Sequence, residues 1–195
     1  FDVDELQVEE QGIRVRARRA RTLPDTVGPG MSLLVCGLNP SLYAADFGAD
    51  AQLRRFDHAF KEQAALANPF RPASGKQPGG FEAFNVQTLG RSTFAMYGRH
   101  VAPDPSKLPP AQGRIAEFDA SGKFVARWHG RGYLNYPWGI APAPDDFGLY
   151  SGCMIVGNFG DGTLVAFHPR YRVALDYVRD ASAKKVVIDG LWGLQ

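Results

Sequence analysis

The chain has 195 residues, with 22 Lys and Arg against 20 Asp and Glu and a formal charge of +2, too small an imbalance to mark it for nucleic acid or a membrane surface. No apolar run approaches the ~20 residues of a membrane-spanning helix. Its 22 Gly and 14 Pro, with 13 Phe, 7 Tyr and 3 Trp, weigh against a helical bundle and favour short strands joined by turns, so the expected class is mostly β.

The first residues show no charged-then-apolar leader, which leaves the compartment open. "RVRARRAR" (Arg14 to Arg21) has two readings. Clustered Arg gains affinity for phosphates by counterion release. Alternation with Val and Ala also describes a solvated strand edge or helix face, and Asp2, Asp4, Glu5, Glu9 and Glu10 cancel much of the charge. Further on, "LLVCGLNP" (Leu33 to Pro40) reads as a buried strand entering a tight polar loop.

From Ser41 the chain repeats itself. "SLYAADFGADAQLRRFDHAF" (Ser41 to Phe60) and "GCMIVGNFGDGTLVAFHPRY" (Gly152 to Tyr171) share one pattern: an apolar strand, Asp or Asn, Phe-Gly, a turn, a second strand and Phe. A third copy runs from "STFAMYGR" through a Pro-rich insertion to "GRIAEFDASGKFVARW", and places Phe118-Asp119 opposite Phe56-Asp57 and Phe167-His168. "CMIVGNF" and "TLVAFHP" are apolar or small almost throughout, as strands covered on both faces require. In "KFVARW", Lys123, Val125 and Arg127 alternate with Phe124, Ala126 and Trp128, which predicts one wet face and an outer position. "DASGK" and "FGDGT" supply Gly for hairpin turns that need positive φ.

Three further segments fall between the hairpins: "FEAFNVQTLG" (Phe81 to Gly90), "LNYPWGIAPAP" (Leu134 to Pro144) and "VVIDGLWGLQ" (Val186 to Gln195). Each ends a loop and opens a short strand, and periods of about 40 to 50 residues with four strands are the signature of propeller blades. Through these segments and "MIVGNFGDGTLVAFHP", residues 42–195 resemble a bacterial family of NHL-like β-propeller proteins of uncharacterised function. The resemblance implies an incomplete β-propeller of about three four-stranded blades, export in many members, and a noncatalytic binding or scaffold role toward an unknown ligand or protein. Open blade edges would offer a route to self-association.

Residues 1–41 do not follow the repeat. Through "LPDTVGPG", "SLLVCG" and "GLNPS" they resemble the start of the mismatch-specific uracil-DNA and thymine-DNA glycosylases. That resemblance implies that Asn39 positions the water attacking the glycosidic carbon, with Gly37 and Pro40 shaping the base pocket, on a nucleotide flipped out of DNA. It makes base excision the alternative function and DNA the alternative partner, in a cytoplasmic protein. About forty residues cannot bury the α/β sandwich this chemistry needs, so the binding role leads, and a chimera with its seam near Ser41 is the simplest origin.

The remaining side chains suggest packing. Cys36 and Cys153 lie far apart in apolar runs and read as reduced core residues. His58, His100, His129 and His168 never fall at metal-ligand spacing, and Asp145, Asp146 and Asp161 lack the arrangement of a calcium loop. No metal or cofactor is expected. Trp138 and Trp192 occupy equivalent repeat positions, which favours packing between blades over ligand stacking.

Overall fold

The computed structural model describes residues 2–9, 12–18, 33–36, 42–46, 52–57, 59–70, 80–99 and 111–194. The chain divides into two units, Phe1–Met31 and Ser32–Gln195. In the first, β1 (Asp2–Glu9) and β2 (Gly12–Arg18) form an antiparallel hairpin. Much of the Arg-rich run is therefore strand, as its alternation with Val and Ala allows.

The second unit holds three four-stranded sheets. Sheet I contains β3 (Leu33–Cys36), β4 (Leu42–Asp46), β5 (Leu53–Phe56) and β6 (Glu62–Leu66). Sheet II contains β7 (Phe81–Leu89), β8 (Ser92–Arg99), β9 (Gly113–Asp119) and β10 (Phe124–Trp128). Sheet III contains β11 (Pro137–Pro142), β12 (Met154–Asn158), β13 (Leu164–His168) and β14 (Val173–Tyr177). In each sheet the strands pair antiparallel in chain order. Among the described residues the one helical element is a 3-10 turn at Gly148–Tyr150. The chain is mostly β.

Short links make these meanders. β7 and β8 are joined by two residues, and Gly90 takes φ 58° at the first of them, where a tight hairpin calls for positive φ. Elsewhere an Asp organises the turn. The Asp57 carboxylate accepts from the amides of Ala59 and Lys61 at 2.9 and 3.0 Å, and Asp119 accepts from Ser121 and Lys123 at the same distances. Asp180 repeats the pattern after β14, with Ser182 and Lys184 at 2.8 and 3.0 Å. These side chains satisfy donors that a tight turn would otherwise leave unpaired.

The core lies between successive sheets. Tyr43, Leu53 and Leu66 of sheet I pack with Val86, Tyr97 and Phe118 of sheet II. Phe94, Met96 and Ile115 of sheet II pack with Ile140, Val156 and Phe167 of sheet III. A third cluster sets Ile155, Leu164 and Ala166 against Val178 and Leu191. Removing a side chain such as Phe167 from water contributes about 2 to 3 kcal/mol, so no sheet is covered without its neighbour. Hydrogen bonds cross the same boundaries: Arg55 Nη1 to Ser121 O at 2.7 Å, and Asn85 Nδ2 to Trp138 O at 2.6 Å.

The repeat pattern matches this register. Phe56, Phe118 and Phe167 all fall at the end of the third strand of their sheets, and β12 and β13 are buried almost throughout. Three features differ from expectation. Strand β10 does occupy an outer position, but Phe124 is 42% exposed, because the register shifts between Phe124 and Ala126 and takes Phe124 out of phase with buried Trp128. The segment from Val186 forms no regular strand; Val187 makes an isolated bridge to Thr163 and the chain then crosses over Gly139. Finally, β3, expected on the far side of a seam at 41, pairs residue by residue with β4, Cys36 opposite Tyr43, while the contact boundary lies at Met31.

Candidate functional site

The first strands of sheets II and III bring equivalent residues together. Phe84 on β7 and Trp138 on β11 meet edge to face at 5.0 Å, and Trp138 meets Trp192 of the C-terminal segment at 5.0 Å and 86°. Each is followed two positions on by an aliphatic residue, Val86, Ile140 and Leu194, and Trp138 and Trp192 are each followed directly by glycine. Phe159 adds a fourth ring, 4.8 Å from Trp192 and 5.9 Å from Phe84, and Tyr136 a fifth, 5.2 Å from Phe84. Edge-to-face pairs of this kind add about 0.5 to 1.5 kcal/mol beyond area burial. Although Trp192 touches two rings, it remains 58% exposed.

Close backbone approach makes the cluster possible. A Cβ on Gly139 would lie 2.7 Å from the Leu194 amide nitrogen, so only glycine lets the C-terminal segment cross β11 and deliver Trp192. Tyr136 packs against Gly98, and its hydroxyl donates to Arg99 O. The backbone of β11 is then tied to β7 by Gln87, whose Oε1 accepts from Ile140 N at 3.0 Å.

Phe159 is placed by the loop "NFGDGT". Asn158 is fully buried, and its Oδ1 accepts from Asn135 N at 2.9 Å while its Nδ2 donates to Tyr133 O and Thr163 Oγ1, both at 2.9 Å. Asp161 accepts from Thr163 Oγ1 at 2.6 Å and from Asn135 Nδ2 at 3.1 Å. That orientation turns Asn135 Oδ1 toward Gly160, where it is buried and has no hydrogen-bond partner among the described residues. Hydrogen bonds of the Asn158 and Asp161 side chains, both joined to Thr163, thus tie the loop to residues 133–135.

Asn39, Gly37 and Pro40 lie outside the described residues, as do His58 and His100. His129 forms a parallel bridge with Val173, and His168 Nδ1 faces the Tyr171 amide at 3.4 Å, both turn or edge positions. Cys153 is a buried free thiol whose pKa burial pushes up, which makes it a poor nucleophile. Asp161 is engaged in the loop, and among the described residues no three His, Cys, Asp or Glu side chains gather as metal ligands would. Trp138 and Trp192 do meet, as their repeat positions suggested. Phe159 and the Asn135–Asp161 pair were missed, although the string "GNFGDG" marks the loop that holds them.

The fold and site define a mostly-β chain of antiparallel meanders, in which the first strands of sheets II and III meet at an aromatic patch. No family model matches the chain. It is similar to two uncharacterised proteins of Acanthamoeba polyphaga mimivirus: L690, 32% identical over 167 residues, covering 82% of this chain and 43% of the relative, and R648, 33% identical over 157 residues, covering 78% and 38%. The chain thus spans less than half the length of these curated relatives. Among solved structures it has weak likenesses to the computationally designed Ika8 protein, with a TM-score of 0.43 and 12% identity over 83% of this chain and 38% of that one. Myxococcus xanthus glutaminyl cyclase gives 0.42 and 11% over 89% and 64%.

Proposed function

We propose that sheets I, II and III are successive blades of an NHL-like β-propeller, and that the chain is a noncatalytic binding module. Its ligand face is the patch of Phe84, Trp138, Phe159 and Trp192. The observation that carries this reading is the edge-to-face chain Phe84–Trp138–Trp192: equivalent positions in the first strands of sheets II and III, continued by the C-terminal segment and ending on a ring left open to solvent. Such a patch suits a ligand with a flat or apolar face, an aromatic ring or the face of a sugar, because indole binds both by dispersion and quadrupole contact.

Two measurements test it. In the first, the indole Nε1–H resonances of Trp138 and Trp192 report titrations with p-cresol and with methyl β-glucoside. At least one probe shifts them in the wild type and has no effect in Trp192→Ala; silence from both overturns binding at this face. In the second, a duplex containing a G·U pair is incubated with the protein and treated with alkali. The binding reading expects an intact strand. Cleavage that disappears in Asn39→Ala would replace it by uracil or thymine excision.

A further inference from the structure

A concavity lies between the start of β9, the end of β10 and the turn that follows. It encloses about 440 Å³, and its lining includes Arg114, Arg127, Arg131 and His129 beside Phe70 and Leu134. Among the described residues no Asp or Glu lines it. Three guanidiniums thus border one recess with no acidic side chain among the described residues lining it, a positive surface that an anion would complement.

Two of these guanidiniums are held by groups that fix position without neutralising charge. Arg114 donates to Gly113 O at 2.7 Å and Ala111 O at 3.3 Å and lies 4.2 Å over the Phe81 ring, whose centroid Arg99 approaches at 5.1 Å. Burial, and after it the positive charge of Arg99, lower the Arg114 pKa below the ordinary arginine range. Arg127 donates to Pro69 O and stacks over Phe70 at 5.4 Å. Arg131 and Gly132 follow in a turn closed by Tyr133 N to Gly130 O at 2.8 Å, with φ of 47° and 86°. Their own amides make no backbone hydrogen bond among the described residues. Backbone donors on consecutive positive-φ residues beside guanidiniums are the elements of an oxyanion site.

We infer that this recess binds a small organic phosphate monoester, its dianionic head between the guanidiniums of Arg114, Arg127 and Arg131 and its organic body against Phe70 and Leu134. A dianion matches three cations, two of them held in place, better than a carboxylate does, and guanidinium forks suit tetrahedral oxygens. The volume exceeds what a bare phosphate fills and lies within the range of small-ligand pockets, about 300 to 1,000 Å³. The site shares no residue with the aromatic patch, so either can fail without the other.

The test uses glycerol 3-phosphate as probe, titrated calorimetrically into the chain, with glycerol, inorganic phosphate and a short single-stranded oligonucleotide as comparisons. Glycerol 3-phosphate binds more tightly than inorganic phosphate, weakens as salt rises, and glycerol does not bind. Arg127→Met and Arg131→Met each reduce affinity ~10-fold or more, the loss of one charge-assisted hydrogen-bonding group. The Arg131 side chain is exposed, so Arg131→Met keeps the wild-type urea midpoint even if Arg114→Met does not fold, and the midpoint of Arg127→Met, which loses its contacts to Pro69 O and Phe70, is measured beside its affinity. The inference is overturned if the wild type does not bind the ester, if the ester binds no more tightly than inorganic phosphate, or if both variants bind as the wild type does. Tighter binding of the oligonucleotide, lost in the same variants, would overturn it in favour of a nucleic-acid surface.

Discussion

Glu117 on β9 accepts a hydrogen bond from Arg172 Nε at 2.7 Å, fifty-five positions along the chain, and so pins sheet II to sheet III. The same carboxylate accepts from Trp128 Nε1 at 3.1 Å and Ser92 Oγ at 3.0 Å. Burial alone would raise its pKa. The bonds from Arg172, Trp128 and Ser92, with the charge of Arg172, outweigh burial and hold it below the ordinary carboxylate range.

Arg172→Met should therefore cost about 2 kcal/mol at pH 7, less than a fully buried pair because the Arg172 side chain is partly exposed. The pH dependence has a definite sign. A depressed carboxyl contributes stability above its unfolded pKa, about 4.3 for Glu, and loses that contribution as pH falls through the lower folded value. Urea midpoints of wild type and variant should differ most near neutral pH and converge in acid. A gap that widened on acidification would refute the assignment.

The Tyr97 hydroxyl sits in the core between sheets I and II with no hydrogen-bond partner among the described residues. Burial pushes its pKa far up. Leaving such a hydroxyl unpaired costs about 1 to 3 kcal/mol. Tyr97→Phe removes the polar atom and keeps the ring that meets Phe70 at 5.1 Å. Thermal unfolding should show a higher midpoint for the variant; a drop of several degrees would mean that the hydroxyl has a partner after all.

The repeats were legible where a pattern is local. Phe56, Phe118 and Phe167 announce the ends of third strands because an apolar residue before a polar turn is a short-range signal. The apolar runs of β12 and β13 announce burial on both faces. The turn at Asp180 was equally readable, since "DASAK" nearly repeats "DASGK" at Asp119. What stayed hidden depends on partners far away. Nothing beside Glu117 predicts Arg172, and Arg114, Arg127 and Arg131 share a recess only because β9, β10 and the next turn are folded together. Phe124 was misread because a bulge is invisible to strict alternation.

The three Asp turns make a graded test of backbone strain. The residue before the closing Lys has φ 61° in Phe60, 85° in Gly122 and 62° in Ala183. A side chain there costs about 1 kcal/mol or more, partly offset by the extra freedom glycine gives the unfolded chain. Phe60→Gly and Ala183→Gly should each stabilise by about 0.5 kcal/mol, and Gly122→Ala should destabilise by about 1 kcal/mol. Chemical denaturation of the three variants decides it; the opposite ordering would show that the turns do not share one conformation.

Asn158 is the keystone of the loop holding Phe159. Replacing it by Leu leaves Asn135 N–H, Tyr133 O and Thr163 Oγ1 without their partner, a loss of about 3 kcal/mol or more. Asn158→Asp should be milder in shape but places a charge where nothing exposed can hydrate it. Both variants should broaden the indole resonances of Trp138 and Trp192, which share Phe159 as a neighbour. Unchanged indole signals alongside a large stability loss would separate the loop from the aromatic patch.

Gly162 connects the same loop to the patch from the other side. Its φ is 68°, and a Cβ there would lie 2.3 Å from Ile188 O, the carbonyl of the segment that carries Trp192. That contact is with backbone, so no side-chain rotation relieves it. Gly162→Ala must push residues 188–192 outward, breaking the bond from Ile188 N to Gly162 O, now 2.9 Å. The expected result is a local effect: Trp192 fluorescence shifts to the red as its ring leaves Trp138 and Phe159, while sheets I and II keep their amide protection. Global loss of protection at low denaturant would instead make this crossing part of the cooperative core.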